Sequence, residues 1–426
     1  MKWFQKIIFV FKDKQLRNKI LFVLFIFVVF RILANVPIPG INIENLRKFF
    51  AQNQFFGLLN LFTGGALSNL SIIMLGLGPY ITGTIILQLL TMIFPQLEKM
   101  YKEEGQEGMR KFNQYGRLLT VPLAVLQGYA MINIFSRQQI IPSLSPASLL
   151  VSILSITAGA VFLMWLGELI SEKGIGNGVS LLIFAGIVAR TPHQIRQMIL
   201  GWDPSFLPSY IFFFIAAIFI ITGVVLVNEG KRNIPISYAK RVRGTKVYGG
   251  VSTYLPININ PAGVIPIIFA LSILLFPQMF SNIFVGAQNQ FLKNAVLSVN
   301  NFLGNQWVHG TLYFTLVFFF TYFYTAVTFD PKSVATNLQK IGGFIPGLRP
   351  GSSTAFFLKK VLYKILFVGA LFLGIIAVLP SIIEGVTSVK TFSFLIGGTS
   401  LLIMVSVVLD SLRQLQSQIE MRQYER

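Results

Sequence analysis

The chain has 426 residues, 54% of them hydrophobic and only 12% charged, with a mean hydropathy of +0.69. A soluble chain carries about 25% charged residues, and here the deficit gathers into charge-free stretches such as 20–30, 207–228 and 261–292, which leaves little room for a soluble fold. The net charge of +20 is spread between apolar runs and not collected in a basic domain, which argues for membrane orientation over nucleic-acid binding. There is no cysteine, so disulfides, thiol catalysis and cysteine-bound metals are excluded, and the two histidines, His193 and His309, read as solvated loop residues.

In chain order, the segment Trp3 to Lys19 sets Trp3, Phe4, Ile7, Ile8, Phe11 and Leu16 among lysines, the pattern of an amphipathic helix on a membrane surface. A first span over 20–36 follows; it lacks a small-residue cleavage pattern and reads as a retained helix. The segment 57–69 is rich in glycine and asparagine, too polar to face lipid, and is expected to form a short helix packed inside the protein. The second span, 70–93, contains Gly76, Gly78, Pro79, Thr82, Gly83, Thr84 and Gln88. Small residues of this kind serve close helix packing, while Thr84 and Gln88 would also suit a face bordering a water-filled path. Further spans are expected at 117–135, 148–168, 178–199, 208–228, 262–283, 310–329, 363–380 and 392–411. The fifth has the shortest apolar run, ended by Arg190, Thr191 and Pro192. Two connections, 228–261 and 330–362, exceed ordinary loop lengths. The first reads as a hairpin, with arms at 234–239 and 247–255 around a basic tip at 240–246.

Charge sorts these connections into two sets. One holds the basic residues of 2–19, 99–117, Lys173, 231–246, 332–364 and 413–426; the other has only Arg47, Lys48, Arg137, Arg190, Arg196, Lys293 and Lys390. Positive charge resists translocation, so both termini are expected in the cytoplasm with an even number of spans. Ten spans divide into two halves of five, 1–200 and 201–426, with opposite orientation, an inverted-repeat architecture found among transporters.

Ionisable groups inside a membrane read as functional by default. Arg31 falls near the outer end of the first span, and Glu168, Glu229 and Asp410 near cytoplasmic ends, none at a midplane. No HExxH, intramembrane aspartate pair or Gly-x-Ser-x-Gly motif is present. These observations weigh against a lipid-processing enzyme and against an ion-coupled transporter of a small solute.

Eight stretches carry a resemblance along the whole chain: RILANVPIPGI (31–41), NLFTGGALSNLSIIMLGLGPYITGTIILQLL (60–90), KFNQYGR (111–117), EKGIGNGVSLLIFAGIVA (172–189), YAKRVRG (238–244), STYLPININPAGVIPIIFA (252–270), GGFIPGLRPG (342–351) and GGTSLLI (397–403). In this order they resemble the SecY family, central subunits of the bacterial protein-conducting channel. The resemblance implies an all-α membrane fold of ten helices in a pseudo-twofold clamshell. It implies a pore ring at Ile81, Ile85, Val179, Ile183, Ile268 and Ile403, with Val179 standing where isoleucine is common. Ile81/Ile85 and Val179/Ile183 are i,i+4 pairs, so each pair shares a helix face, and branched apolar side chains suit a constriction that disfavours water and ions. A lateral gate is implied between the second and seventh spans at Thr84, Gln88, Ile268 and Ser272. The segment 55–70 corresponds to a plug, represented by Phe62, Gly64, Gly65 and Leu67. Docking of the SecA motor ATPase or the ribosome is implied at Lys240, Arg241, Arg243, Lys246 and Arg349; Thr245 stands where the family often has another basic residue. The family further implies SecE and SecG subunits, signal sequences and unfolded polypeptides as substrates, and no cofactor or catalytic centre.

Overall fold

The computed structural model describes residues 12–38, 63–137, 145–200, 207–238, 241–243, 246–248, 252–284, 305–387 and 398–424, with single positions between them, among them Asn60. The described part is a helical bundle with strands only at one end. Its helices are α1 (Lys14–Leu33), α2 (Gly78–Thr91), α3 (Pro95–Lys102), α4 (Gly105–Arg137), α5 (Pro146–Lys173), α6 (Gly178–Leu200) and α7 (Leu207–Glu229), then α8 (Ile265–Phe284), α9 (Gln306–Thr328), α10 (Pro331–Lys340), α11 (Ser352–Thr387) and α12 (Gly398–Tyr424). By length and composition, 105–136, 146–173, 307–340 and 352–379 can each cross a membrane, as can α2 and α3 taken together, although these two meet at a 109° bend.

Side-chain caps fix several of the observed helix starts. Asp13 accepts hydrogen bonds from the Gln15 and Leu16 amides at 3.0 and 3.1 Å, so α1 begins at Lys14 and not at residue 20. Ser145 caps α5 ahead of Pro146, Asn305 caps α9, and Asp330 caps α10 ahead of Pro331. Hydropathy sees the apolar centre of a helix, whereas caps set its ends.

Three readings need correction. The second span starts at Gly78, and 63–77 is a run of turns, so the short helix expected over 57–69 does not extend past 62; Asn60, the one described residue of 57–62, is helical. The fifth span, by contrast, keeps its expected range of 178–199, running from Gly178 through Pro192 to Leu200, with the Thr191 hydroxyl donating to the Ile187 carbonyl at 3.1 Å; neighbouring helices and hydroxyls make a proline tolerable there. Both Arg190 and Arg196 therefore lie on α6, as does His193, while His309 lies on α9, so neither histidine is a loop residue. The amphipathic segment before Lys12 and Phe62 of the plug lie outside the described residues.

The first and last described helices meet. Leu16 of α1 packs with Ile419 of α12, Lys19 donates to Gln418 at 3.3 Å, and Arg422 pairs with Asp13. On the same end of α12, Gln414 accepts from the Gly176 amide at 2.8 Å, and Arg413 donates to the Asn228 carbonyl at 2.6 Å and pairs with Glu229 at 2.9 Å. The first helix therefore starts on the face where the last one ends, and the connection carrying Lys173 and the end of α7 share that face.

At this end β1 (Lys231–Tyr238) pairs antiparallel with β4 (Ser252–Asn258), Lys231 opposite Asn258, and the hairpin reading holds in outline. Inside it, β2 (Arg241–Arg243) and β3 (Lys246–Tyr248) form a smaller ladder. The other long connection is no simple loop: it contains α10, the strand β5 (Gly343–Phe344) and the start of α11, and β5 pairs with β1 at Ser237 and Tyr238.

The Leu16 amide and then the Arg422 guanidinium hold the Asp13 carboxyl below its ordinary value of 3.8. Its contribution is complete above that value and is lost as pH falls through the lower folded one. Pepsin digestion should therefore find the end of α12 loosening only below pH 3.8, and Asp13→Asn should speed tryptic cleavage after Arg422 several-fold at neutral pH.

Candidate functional site

At the centre of the bundle α2, α6, α8 and α12 bring six of the expected residues into one apolar cluster. Ile85, Ile183 and Ile403 are buried in it, and Ile81, Val179 and Ile268 are partly buried against it. The same cluster includes Ala66 of the turn segment. Branched side chains from four separate helices thus belong to the main apolar core of the bundle, which Ala66 of the turn segment also joins.

The turn segment sits between α1, α5 and α6. Gly64 and Gly65 have φ of 64° and 90°, a region open to glycine. Leu67 is fully buried in a second cluster with Ala124 and Met131 of α4 and Ile156 of α5. Asn60 Oδ1 accepts from the Ser68 amide at 2.9 Å, and Asn69 donates to Asn35 Oδ1 at 3.1 Å. Beyond it, Ile38 N donates to the Leu70 carbonyl at 2.8 Å and Ile72 N to the Val36 carbonyl at 3.0 Å, tying the segment's end to the chain leaving α1.

Thr84 and Gln88 of α2 and Ile268 and Ser272 of α8 lie on packed helices, with α4 against both. Thr84 donates to the Ile81 carbonyl at 2.8 Å and Ser272 to the Ile268 carbonyl at 2.9 Å, so both hydroxyls are satisfied within their own helices. The Gln88 amide oxygen is buried with no hydrogen-bond partner.

Of the expected docking residues, Arg349 is exposed in a turn whose flanking Gly347 and Gly351 have positive φ, and its carbonyl accepts from the Thr354 hydroxyl at 3.0 Å. Arg241, Arg243 and Lys246 stand on the β2–β3 ladder, Arg243 opposite Lys246, while Lys240 lies outside the described residues. The two connections share one apolar core: Ile234 and Ile257 from the hairpin, Ile345 beside β5, and Leu358 and Leu362 of α11.

Sequence reasoning missed two features. It treated the long connections separately, and a two-residue strand such as β5 leaves no periodic signal to detect. It recorded Arg31 only as a charge at the outer end of the first span, whereas Arg31 Nη1 donates to the Gly64 carbonyl at 2.8 Å. An arginine in an apolar helix close in space to a glycine pair was the available clue. The three carboxylates expected near span ends are paired: Glu168 with Arg117 at 2.7 Å, and Glu229 and Asp410 with Arg413 at 2.9 and 3.6 Å.

A family model described as SecY matches residues 71–412. The protein translocase subunit SecY of Thermotoga maritima is 43% identical, with 97% of this chain and 95% of that one covered. The same subunit of Corynebacterium glutamicum is 43% identical over 98% of each chain. Among solved structures, one described as the structure of a protein conducting channel has a TM-score of 0.65 at 19% identity, covering 93% of this chain and 91% of that one. Sec61 in the canine ribosome–channel complex has a TM-score of 0.62 at 18% identity over the same shares. The helical bundle with its central apolar cluster thus has the fold of the protein-conducting channels. The chain belongs to the SecY family.

An amide oxygen buried without a partner costs about 1–3 kcal/mol. Replacing Gln88 by leucine should therefore raise the thermal unfolding midpoint of the purified protein; an unchanged or lower midpoint would show that the amide has a partner.

Proposed function

We propose that this chain is the channel subunit of a bacterial plasma-membrane translocase, passing unfolded secretory polypeptides across and releasing apolar segments sideways into lipid. The observation that supports this reading is that Ile81, Ile85, Val179, Ile183, Ile268 and Ile403, from four helices, all belong to the main apolar core that Ala66 of the 63–70 turns also joins. Those six side chains form the pore ring, and Gly64, Gly65 and Leu67 belong to a plug seated on it. Such a ring has no fixed polar demand on a passing chain, so it can yield to many sequences and still seal at rest. Family membership favours this over transport of a small solute.

The chain spans the membrane ten times, in two inverted halves, 1–200 and 201–426, with both termini cytoplasmic. The meeting of α1 and α12 on one face supports an even number of crossings. The basic connections on that face support the orientation. Thr84, Gln88, Ile268 and Ser272 line the lateral gate, where a signal sequence enters between α2 and α8.

The sheet-built face bearing Arg241, Arg243, Lys246, Arg349 and, beside them, Lys240 docks the SecA motor or the ribosome. One structural neighbour is described as Sec61 in a ribosome–channel complex and another as an Ssh1 complex bound to the ribosome. An exposed arginine held in a glycine-flanked turn suits bidentate recognition of carboxylate or phosphate. SecE and SecG subunits complete the assembly. The chain has no catalytic role, and the driving energy comes from translation, from ATP hydrolysis by SecA and from the membrane potential.

A photocrosslinker placed at Ile183 or Ile268 should capture a stalled secretory chain. Adducts confined to lipid-facing control positions would sink the channel reading. Separately, Arg349→Glu should block SecA-driven translocation while leaving insertion and folding intact, as read by protease protection of a secretory substrate in membrane vesicles.

A further inference from the structure

Two helices grip the turn segment, and each presents a cation to it. From α1, Phe30 and Arg31 face Gly64: a Cβ there would lie 3.2 Å from two atoms of the Phe30 ring, and Arg31 Nη1 donates to its carbonyl at 2.8 Å. From α6, the same hypothetical Cβ would lie 2.9 Å from Gly186 Cα. One turn further along α6, on the same face, Arg190 places its Nε 3.6 Å from the corresponding position on Gly65. Among the described residues neither arginine pairs with a carboxylate.

A half-buried guanidinium in an apolar helix needs an acceptor, and here the protein supplies a backbone carbonyl. That acceptor exists only while the segment is seated. The apolar contacts of Ala66 and Leu67 are non-directional, whereas a charge-assisted hydrogen bond to one carbonyl fixes both position and rotation. We propose that Arg31 is a latch that holds the segment 63–70 in its seated position through the Gly64 carbonyl, with Arg190 flanking Gly65. This rests on the reading of that segment as the plug. Displacing the plug strands the Arg31 cation, and that penalty biases the resting channel toward closure.

The absence of native cysteine gives a clean test. Thr63 is buried within the segment, so Thr63→Cys should react with a membrane-impermeant maleimide only when the segment leaves its seat. The assembled channel complex in membrane vesicles is the material. Adding Arg31→Gln should speed labelling about tenfold at rest, the scale of losing one charge-assisted hydrogen bond, and Arg31→Lys should give an intermediate rate. Ser152→Cys, at a buried hydroxyl of α5 with no partner, reports general loosening and should not respond. Equal labelling of Thr63→Cys with and without Arg31→Gln overturns the latch, as does a matching rise at Ser152→Cys. If Arg31→Gln fails to accumulate, Arg31→Lys carries the comparison, and labelling no faster than the parent overturns the proposal. A stalled secretory chain in the parent separates the two levels. It should speed labelling at Thr63→Cys by displacing the plug. If it does not, the plug reading fails and takes the latch with it; if it does while Arg31→Gln has no effect, only the latch fails.

Discussion

The structure depends on one constraint: irregular backbone inside a helical membrane bundle must have its polar groups satisfied by protein. Residues 63–77 are such a backbone, and their neighbours are organised around them. Asn60 accepts from Ser68, Val36 and Ile38 bracket 70–72 with paired hydrogen bonds, and Arg31 donates to Gly64. Gly159 of α5 makes the fit possible from the other side, since a Cβ there would lie 2.1 Å from the Ile72 carbonyl oxygen. Leu70 is the one non-glycine residue with positive φ among the described residues, at 42°. The strain, on the order of 1–3 kcal/mol, falls at the end of the segment where the bridge to 36–38 holds it.

The same accounting separates seams that are bolted from seams that can part. Arg117 to Glu168 joins α4 to α5, and Arg413 with Glu229 and Asn228 joins α12 to α7, where Asn228 also donates to the Ser406 hydroxyl at 2.6 Å. Between α2 and α8 no hydrogen bond is found among the described residues. The hydroxyls of Thr82, Thr84, Thr91 and Ser272 all return to carbonyls of their own helices. Parting α2 from α8 therefore loses packing but strands no hydrogen bond found among the described residues. Gln88 already lacks a partner for its amide oxygen with these helices packed together, so exposure to water would help it.

Much of this was legible in the sequence for identifiable reasons. Long apolar runs mark helices because lipid demands them, and the clustering of six branched residues followed from a family pattern that the folded chain brings into one cluster. The turns at 63–77 were half legible: the glycines and asparagines marked the segment as internal, but nothing in a one-dimensional pattern distinguishes a short helix from successive turns satisfied by distant residues such as Arg31. The small strand β5 and its pairing with Ser237 and Tyr238 bridge about a hundred residues of sequence, which periodicity does not reach. The start of the first span was misplaced because the Asp13 cap, not hydropathy, decided it, and the Asp330 cap starts a helix that hydropathy did not reveal.

The shared sheet gives the two long connections a mechanical meaning that separate loops would lack. Strand β1 leaves α7 directly, and β4 leads into α8 through Asn260, whose side-chain amide donates to Asn228 at 3.0 Å and to the Gly263 carbonyl at 3.1 Å. Strand β5 follows α9 and α10, and the common core rests on Leu358 and Leu362 of α11. A load placed on Arg349 or on the β2–β3 tip is therefore carried by packed elements to the ends of α7, α8, α9 and α11 together. Only α8 among these four contributes a side chain, Ile268, to the expected pore ring. It is also the one that packs on α2 across the seam with no polar bolt. The stretch 259–264 is thus the covalent link between the sheet and α8, the helix that packs on α2.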